Sequence, residues 1–575
     1  SFGDVDGDGQ YEIFVKWDPS NAKDNSQSGY TGNVYIDCYT LGGQKLWRID
    51  LGKNIRAGAH YTQFLVADFD CDGYAEMTCK TADGTVDGTG KVIGDASKDY
   101  RNSSGYILSG PEYYTLFDGK TGKALDTVDY EYPRGNSLKS TWGDDYGNRV
   151  DRFLGSVVYL DPDHPSAVSV RGYYTRMTVV AYDVVNKKLV KRWAHDSGTD
   201  TSKGNGNGNH NCMPADVDGD GRQELILGAT CIDDNGSVLW CNKKGHGDAM
   251  HLGDLLPERN GLELWVCHEV SPFGMSLLDA KNGSTIFHYD AGKDTGRCCA
   301  GNVLASNKGS EFWGAGSGDV YNGAGNSIGT TRPAQNFLIY WDGDLEREIL
   351  DGTTISKMMS TSQISTLLSA DGCASNNSTK SNPCLTADLF GDWREELLLR
   401  TSDNRAIRVF CTPYTTDKRI TTLMHDPQYR NQVSAEQTSY NQPPHTSFYL
   451  GSDASLPARP NVVVDGTLAA PPKAGATLNP AYKYTIKNVN SGLYLGVEGN
   501  NAQAGADVQQ VENEAIWTVQ SAGSGYYYVY SSLGDGKTYM LDLDYGKADN
   551  GTNIGIYTST NSDAQLFKFV PNGDG

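Results

Sequence analysis

Short apolar segments bounded by turn residues recur along most of the chain, and their pattern predicts β-strands. Residues 11–15, 75–79 and 223–227 are such segments, and each stands at the end of an acidic loop. Turn sequences typical of hairpins separate other segments: Gly42-Gly43, Lys120-Thr121-Gly122, Asn235-Gly236 and Asn282-Gly283. No apolar run approaches the ~18 residues that a membrane-spanning helix needs. The pattern predicts an all-β protein of many short strands, with no membrane as a partner.

The acidic loop is the strongest repeat in the sequence. Three close copies place carboxylates at positions 1, 3, 5 and 9: Asp4, Asp6, Asp8 and Glu12; Asp68, Asp70, Asp72 and Glu76; Asp216, Asp218, Asp220 and Glu224. Oxygen ligands at this spacing, with glycine at position 6, can surround one Ca²⁺ ion. The glutamate stands at position 9 rather than 12 and a strand follows, so the loop is not an EF-hand. We expect these calcium loops to be structural rather than catalytic.

Weaker copies of the loop continue the series and indicate the fold. They begin at Asp161, Asp254, Asn302, Asp342 and Asp388, the last of which keeps Asp392 and Glu396 at positions 5 and 9. The later copies lie about 40 to 50 residues apart, which is the period of a propeller blade. Eight copies predict an eight-bladed β-propeller with calcium loops over residues 1–464. Long loops in its first part are expected to carry function.

A different module follows the propeller. Residues 465–481 have the composition of a linker. Residues 482–570 contain two similar units and resemble the ricin-type β-trefoil carbohydrate-binding repeat, of which three copies are usual. This predicts a small β-trefoil-like module. Residues 571–575 resemble the start of another linker, so we expect further domains after it. We also expect further residues before Ser1.

Charge and cysteine content narrow the choice of partners. The net charge of −22 argues against nucleic acid as a partner and favours cations. The twelve cysteines include no zinc-type pair, and neither a disulfide framework nor a fully reduced set follows from their spacing.

Four polar residues from successive predicted blades are candidate metal ligands. They are His210, His246, Asp248 and Glu269. Propeller geometry could bring them together near the central axis, where two imidazoles and two carboxylates would suit zinc, manganese or calcium. The alternative is that each histidine only caps a loop by hydrogen bonding.

Long stretches of the chain resemble the family 11 polysaccharide lyases, the rhamnogalacturonan lyases. Residues 54–63, 147–153, 388–396 and 440–448 carry the resemblance. It implies a substrate of alternating rhamnose and galacturonic acid (rhamnogalacturonan I) and calcium as the metal in the histidine cluster. We expect a secreted enzyme that is a monomer or part of a larger multidomain or multi-enzyme assembly. The resemblance also implies that these residues line the sugar cleft: Asp18, Arg297, Asn377, Ser378, Thr379, Lys380 and Tyr440. Ser378 stands where the family pattern has glycine.

The resemblance leads to a mechanistic hypothesis of β-elimination. Calcium and Arg297 would neutralise the uronate carboxylate, and a base would remove H5 so that the O4 bond breaks, giving a 4,5-unsaturated galacturonate. Lys380 is the candidate base. The alternatives are that Lys380 only binds a carboxylate and that His210 or another cleft histidine is the base. We expect Tyr440 to be a stacking platform for a sugar.

Other functions remain open at this stage. A non-catalytic propeller of the integrin-like FG-GAP type would explain the calcium loops but not the polar loop clusters. A glycoside hydrolase needs a pair of carboxylates at a defined separation, and none stands out. A lectin-like binder would depend on the C-terminal module alone. New ultraviolet absorbance in a pectin digest would indicate a lyase, since only elimination produces the conjugated uronate.

Overall fold

The computed structural model describes residues 1–329, 332–462, 478–488, 490–523, 526–547, 549, 551–560 and 562–569. Its contacts divide the chain into two units, Ser1–Val463 and Val464–Gly575. Residues 465–477 of the expected linker and all of 571–575 lie outside the described residues.

Eight antiparallel sheets follow one another in the first unit, which confirms the eight-bladed β-propeller. Each sheet is named here as a blade, in chain order. Blade 1 contains Phe2–Gly3, Glu12–Trp17, Tyr35–Tyr39 and Lys45–Asp50, extended by Thr85–Val86 and Val92–Ile93; blade 2 contains Phe64–Ala67, Glu76–Ala82, Glu112–Asp118 and Ala124–Asp129; blade 3 contains Phe153–Val158, Ser166–Arg171, Thr178–Val185 and Lys188–Asp196; blade 4 contains Gly208–Ala215, Glu224–Gly228, Thr230–Ile232 and Val238–Cys241.

The remaining blades have the same arrangement. Blade 5 contains Met250–Gly253, Glu263–His268, Gly274–Asp279 and Thr285–Tyr289; blade 6 contains Cys298–Gly301, Glu311–Gly314, Val320–Tyr321 and Ser327–Gly329; blade 7 contains Phe337–Ile339, Glu348–Asp351, Thr354–Ser360 and Gln363–Ser369; blade 8 contains Leu385–Ala387, Glu396–Thr401 and Ile407–Phe410, with Cys373–Ala374 pairing at its edge. Each acidic loop lies between the first and second strands of its blade, so the eight copies correspond to eight blades.

Neighbouring blades are joined by apolar packing and by buried tryptophans. The indole N–H of Trp47 donates to the Gly119 carbonyl of the next blade at 2.7 Å. Trp193 and Trp240 make the same kind of bond to the following blade, at 2.7 and 2.9 Å. Because an indole N–H must find an acceptor when it is buried, these bonds fix the spacing of the blades as well as filling the space between them.

The longest helix, Pro427–Ala435, fills the centre of the ring. Asp426 caps its first turn and Pro427 occupies the first helical position, where the missing N–H costs nothing. The helix packs against the innermost strands of blades 2, 3, 4 and 8. Its polar side chains are buried because they bond to the innermost strands of the ring: the Gln432 amide donates to Leu252 O of blade 5 at 3.0 Å. The segment that follows therefore starts from a fixed point on the axis.

The other helical segments are short. They are the α-helix Leu138–Trp142 and the 3₁₀ turns Thr201–Lys203, Ser378–Lys380, Leu423–His425, Glu498–Asn500, Asp544–Gly546 and Asp563–Gln565. Among the described residues, no helix is long and apolar enough to cross a membrane. All twelve cysteines are unpaired.

The second unit is a separate small β-structure. Its strands are Tyr494–Val497, Ala506–Val511, Trp517–Gly523, Tyr526–Ser531, Met540–Leu543, Ile554–Tyr557 and Phe567–Lys568. They enclose a core around Trp517, Val529 and Ile556, and the Trp517 indole donates to Leu495 O at 2.9 Å.

Candidate active site and acidic loops

The four candidate metal ligands converge from two neighbouring blades. His210 lies within the first strand of blade 4, and the pairing of that strand is interrupted between Gly208 and Met213. The Asp248 carboxylate lies 3.3 Å from His210 Nε2 and 4.0 Å from His246 Nε2. Glu269 lies 3.8 Å from the same nitrogen of His246. Two imidazoles and two carboxylates therefore share one buried centre.

The protonation of this centre suits a divalent cation. His246 Nδ1 faces the Gly208 carbonyl at 2.5 Å, so that nitrogen carries the proton. Its Nε2 therefore presents a lone pair, and this buried atom has no hydrogen-bond partner in the described part of the chain. Burial, and then Asp248, raise the pKa of Glu269 to about 8. An unsatisfied imidazole lone pair beside two crowded carboxylates is an arrangement that a bound cation would relieve.

Two tyrosines that the sequence did not single out contact the same histidines. The Tyr173 hydroxyl lies 3.0 Å from His210 Nδ1, and the Tyr174 hydroxyl lies 2.8 Å from His210 Nε2. The Tyr174 ring also stacks on His246, with centroids 4.0 Å apart. Adjacent tyrosines in the short connection between the second and third strands of blade 3 are the signal in the sequence, but their direction depends on the fold.

A second polar group borders the cluster. His60 Nε2 and Arg152 Nη2 each lie 3.8 Å from the Asp24 carboxylate. The Ser439 hydroxyl bonds to His60 Nδ1 at 2.7 Å. Burial, followed by Arg152, holds the pKa of His60 well below its usual value. His60 and Arg152 lie in stretches that carry the family resemblance, yet no role for them follows from the sequence.

Lys380 and Tyr440 reach this cluster from the opposite end of the propeller sequence. Lys380 Nζ forms a very short ion pair with Asp248 and donates to Gly296 O at 2.9 Å. It also lies 4.9 Å from the centroid of the Tyr440 ring. That ring is 4.4 Å from the imidazole of His210. The structure thus brings the candidate base, the candidate platform and the candidate metal ligands together.

Arg297 is buried directly after Gly296. Its Nη2 donates to Asn336 O, while Nε and Nη1 have no partner among the described residues. Burial lowers the pKa of this guanidinium. A buried cation with unused N–H groups suits the binding of a carboxylate.

The backbone of the turn before Lys380 explains why the family pattern has glycine at position 378. Asn377 and Ser378 both have left-handed backbones, with φ of 59° and 48°. Glycine adopts this conformation without strain, so serine at 378 keeps the turn only at a cost. Thr379 is exposed beside it. The Asp18 carboxylate lies 3.9 Å from Lys16 Nζ, which in turn donates to the carbonyl of Thr62 at 3.2 Å.

The acidic loops have one common hydrogen-bond design. In seven blades a glutamate at the start of the second strand accepts a backbone N–H from the loop: Glu12, Glu76, Glu224, Glu263, Glu311, Glu348 and Glu396. Position 1 accepts further N–H groups, as Asp216 does from Gly219 at 2.8 Å and Gly221 at 3.0 Å. The carboxylates therefore order the loop even without a metal.

The Asp388 loop departs from this design. Asp388 accepts hydrogen bonds from Thr422 and Leu423, and Asp392 pairs with Arg394. Trp393 holds the left-handed conformation, with φ of 72°, that glycine has in the stronger copies. Packing of the buried tryptophan ring in the apolar core stabilises this strained backbone.

Comparison with known proteins agrees with the fold. Residues 1–460 match the profile described as rhamnogalacturonan lyase family 11, C-terminal domain. Residues 476–557 match the profile described as ricin-type beta-trefoil lectin domain-like. The expected β-trefoil-like module is thereby confirmed.

Two proteins of Bacillus subtilis (strain 168) are close relatives. The chain is 51% identical to rhamnogalacturonan exolyase YesX over 492 residues, 82% of this chain and 80% of that protein. It is 52% identical to rhamnogalacturonan endolyase YesW over 469 residues, 80% of this chain and 75% of that protein.

A solved structure of rhamnogalacturonan lyase PL11 from Bacillus licheniformis superposes with a TM-score of 0.78 at 54% identity, covering 81% of this chain and 80% of that one. The crystal structure of YesW gives the same TM-score at 51% identity, with coverages of 81% and 80%. Since profile, sequence and structure agree over most of its length, the chain belongs to rhamnogalacturonan lyase family 11, a family of polysaccharide lyases.

Proposed function

We propose that this lyase cleaves the rhamnose–galacturonate backbone of rhamnogalacturonan I by calcium-assisted β-elimination. The observation that carries the proposal is the contact between Lys380 and Asp248, which places the candidate base on a candidate metal ligand. The names of the two Bacillus subtilis relatives support the substrate. A polymer of this kind is met outside the cell, so we also propose that the enzyme is secreted.

The reaction requires loss of the C5 proton of galacturonate next to an ionised carboxylate. His210, His246, Asp248 and Glu269 would hold the calcium ion, which when bound would neutralise that carboxylate and stabilise the developing charge. The unpaired N–H groups of Arg297 suit the same carboxylate. Elimination then breaks the C5–H and C4–O4 bonds and forms the C4–C5 double bond.

Lys380 is favoured over His210 as the base. Burial, followed by His246, keeps the pKa of His210 well below its usual value, and tyrosine hydroxyls contact both of its nitrogens. The Lys380 amine is partly exposed and lies over the Tyr440 ring, where a sugar could stack. To accept the C5 proton it must first lose a proton and release Asp248, and occupation of Asp248 by a cation favours that release.

The decisive experiment compares Lys380→Met with Lys380→Arg on rhamnogalacturonan I, with ultraviolet absorbance as the readout. A base at Lys380 predicts a loss of about 10²–10⁴-fold in kcat for both variants, because arginine keeps the charge but does not deprotonate. If lysine only binds a carboxylate, Lys380→Arg keeps much of the activity. New reducing ends without absorbance would instead indicate a hydrolase.

Product size distinguishes internal from terminal cleavage. The chain is as similar to the exolyase as to the endolyase, at 51% and 52% identity. An early fall in polymer size would indicate an endolyase, and accumulation of short products from intact polymer would indicate an exolyase.

A further inference from the structure

The acidic loops of blades 2 and 7 each hold a lysine ammonium among their carboxylates, whereas in blade 4 the nearest ammonium, that of Lys281, donates to the main-chain carbonyl of Asp218. Lys357 Nζ lies 2.6 Å from Asp342, 2.7 Å from Asp344 and 2.9 Å from Glu348. An ammonium has three N–H donors, so these three carboxylates use all of them. The Lys357 side chain is only 14% exposed, so water has little access to these carboxylates.

In blade 2 the lysine among the carboxylates comes from the neighbouring blade 3. Lys187 lies in the two-residue turn between the third and fourth strands of blade 3, where both turn residues have positive φ. Its Nζ lies 3.2 Å from Asp70, 2.7 Å from Asp72 and 2.6 Å from Glu76. The turn therefore crosses the boundary between the blades and places one positive charge among these carboxylates.

In blade 4 the loop has the same carboxylates, but an aspartate stands beside them where blade 7 has a lysine. Leu225 pairs with Ile232, so Asp233 stands opposite Glu224 one residue further along. In blade 7 the pairing of Ile349 with Ser356 places Lys357 at that position. Among the described residues, no lysine or arginine forms an ion pair with Asp216, Asp218, Asp220 or Glu224. Within the described part of the chain, the buried Oε1 of Glu224 has no hydrogen-bond partner.

We infer that Lys357 and Lys187 are built-in cations that exclude calcium from the acidic loops of blades 7 and 2, whereas the loop of blade 4 binds the metal. Calcium takes six to eight oxygen ligands at about 2.3–2.6 Å. The carboxylates that would supply them are already bound to nitrogen at 2.6–3.2 Å, so ammonium and metal compete for one space. Calcium dependence is thereby confined to part of the propeller.

The test is the number of calcium ions bound per molecule by the full chain after chelation and reloading. Lys357→Met and Lys187→Met keep the aliphatic stem and should each bind one ion more than the parent protein. Lys188→Met is the matched control, because Lys188 is adjacent but pairs with Asp126 outside the loop. It should leave the number unchanged. Folded Lys→Met variants that gain no ion would overturn the inference.

A second pair of variants covers the case in which the lysine variants do not fold. Asp218→Asn in blade 4 should lower the number of bound ions by one. Asp70→Asn in blade 2 should leave it unchanged, since Lys187 rather than a metal faces that carboxylate. A loss of one ion in Asp70→Asn would show that calcium enters the blade 2 loop and would overturn the inference.

Discussion

The candidate active site and the acidic loops both gather carboxylates, but they are held in opposite ways. In the Asp216 loop the carboxylates of Asp216 and Glu224 accept hydrogen bonds from backbone N–H groups of the same nine-residue segment. In the site, His210 and Asp248 come from different blades and Lys380 lies 132 residues from Asp248. The loop is ordered by its own backbone, whereas the site is ordered only by the assembled propeller.

This difference indicates which cluster is free to perform chemistry. Loop carboxylates that accept several N–H groups stabilise the loop, so their substitution should lower the free energy of unfolding. The site contains an unpartnered imidazole nitrogen and a guanidinium with unused N–H groups, which is what a bound substrate or metal could satisfy. We expect substitutions in the two regions to separate into effects on activity and effects on stability.

The largest expected effect is the loss of activity in Asp248→Asn. This change removes a cation donor and the partner of Lys380, so kcat should fall on the order of 10³-fold. The melting temperature is measured alongside, because Asp248 is buried and paired with Lys380, so that loss of folded protein is separated from loss of catalysis. Asp220→Asn in the blade 4 loop is the matched control and should retain activity. Equal losses of activity in both variants would contradict the division between site and loop.

Tyr173→Phe tests whether the site is pre-ordered. The Tyr173 hydroxyl can accept the Nδ1 proton of His210, which would turn the Nε2 lone pair toward the cation. Its removal should weaken calcium binding at the site by about 10- to 100-fold, as measured by calorimetry. Tyr174→Phe should not weaken it, because that hydroxyl competes for Nε2 itself. Equal weakening in both variants would mean that the tyrosines only fill space.

Asp216→Ala examines the loop side of the comparison. It removes the acceptor of N–H groups from Gly219, Asp220 and Gly221. These bonds are partly open to water, so the free energy of unfolding should fall by about 1–2 kcal/mol in chelator. The deficit should grow with added calcium, because only the parent loop gains from binding it. A deficit that does not depend on calcium would argue against a metal in this loop.

The smallest expected effect is a pH dependence of stability that comes from a buried glutamate of the acidic loops. Burial raises the pKa of Glu311 to about 8 from an ordinary 4.5. Between these values the folded protein holds more protons than the unfolded chain, so stability falls as pH rises from about 4.5 to 8. Glu311→Gln should flatten part of this fall in melting temperature, measured in chelator.

The exposed Glu258→Gln is the control for the pH experiment. It lies in the neighbouring loop and pairs loosely with Lys308, at 3.9 Å. Its melting temperatures should follow those of the parent protein across the pH range. A flattened curve for this variant, or none for Glu311→Gln, would remove burial as the cause.

The blades were predictable because their signal is local. Each acidic loop carries its glutamate, its turn and the following strand within about a dozen residues, so the repeat alone predicted eight blades and an all-β fold. The family and the class of enzyme followed from longer stretches, such as residues 54–63 and 388–396, and both are confirmed. The roles of Lys380, Arg297, Tyr440 and the metal ligands remain predictions.

Which side chains come into contact depends on the tertiary structure and could not be predicted. Tyr173, His60 and Arg152 join the site, because the direction of each side chain depends on strands and loops elsewhere in the ring. Lys187 stands 117 residues from Asp70, with no sign in either segment that they meet. Local hydrogen bonding determined the repeating loop from the sequence; the cation that faces each loop was determined by the packing of one blade against the next.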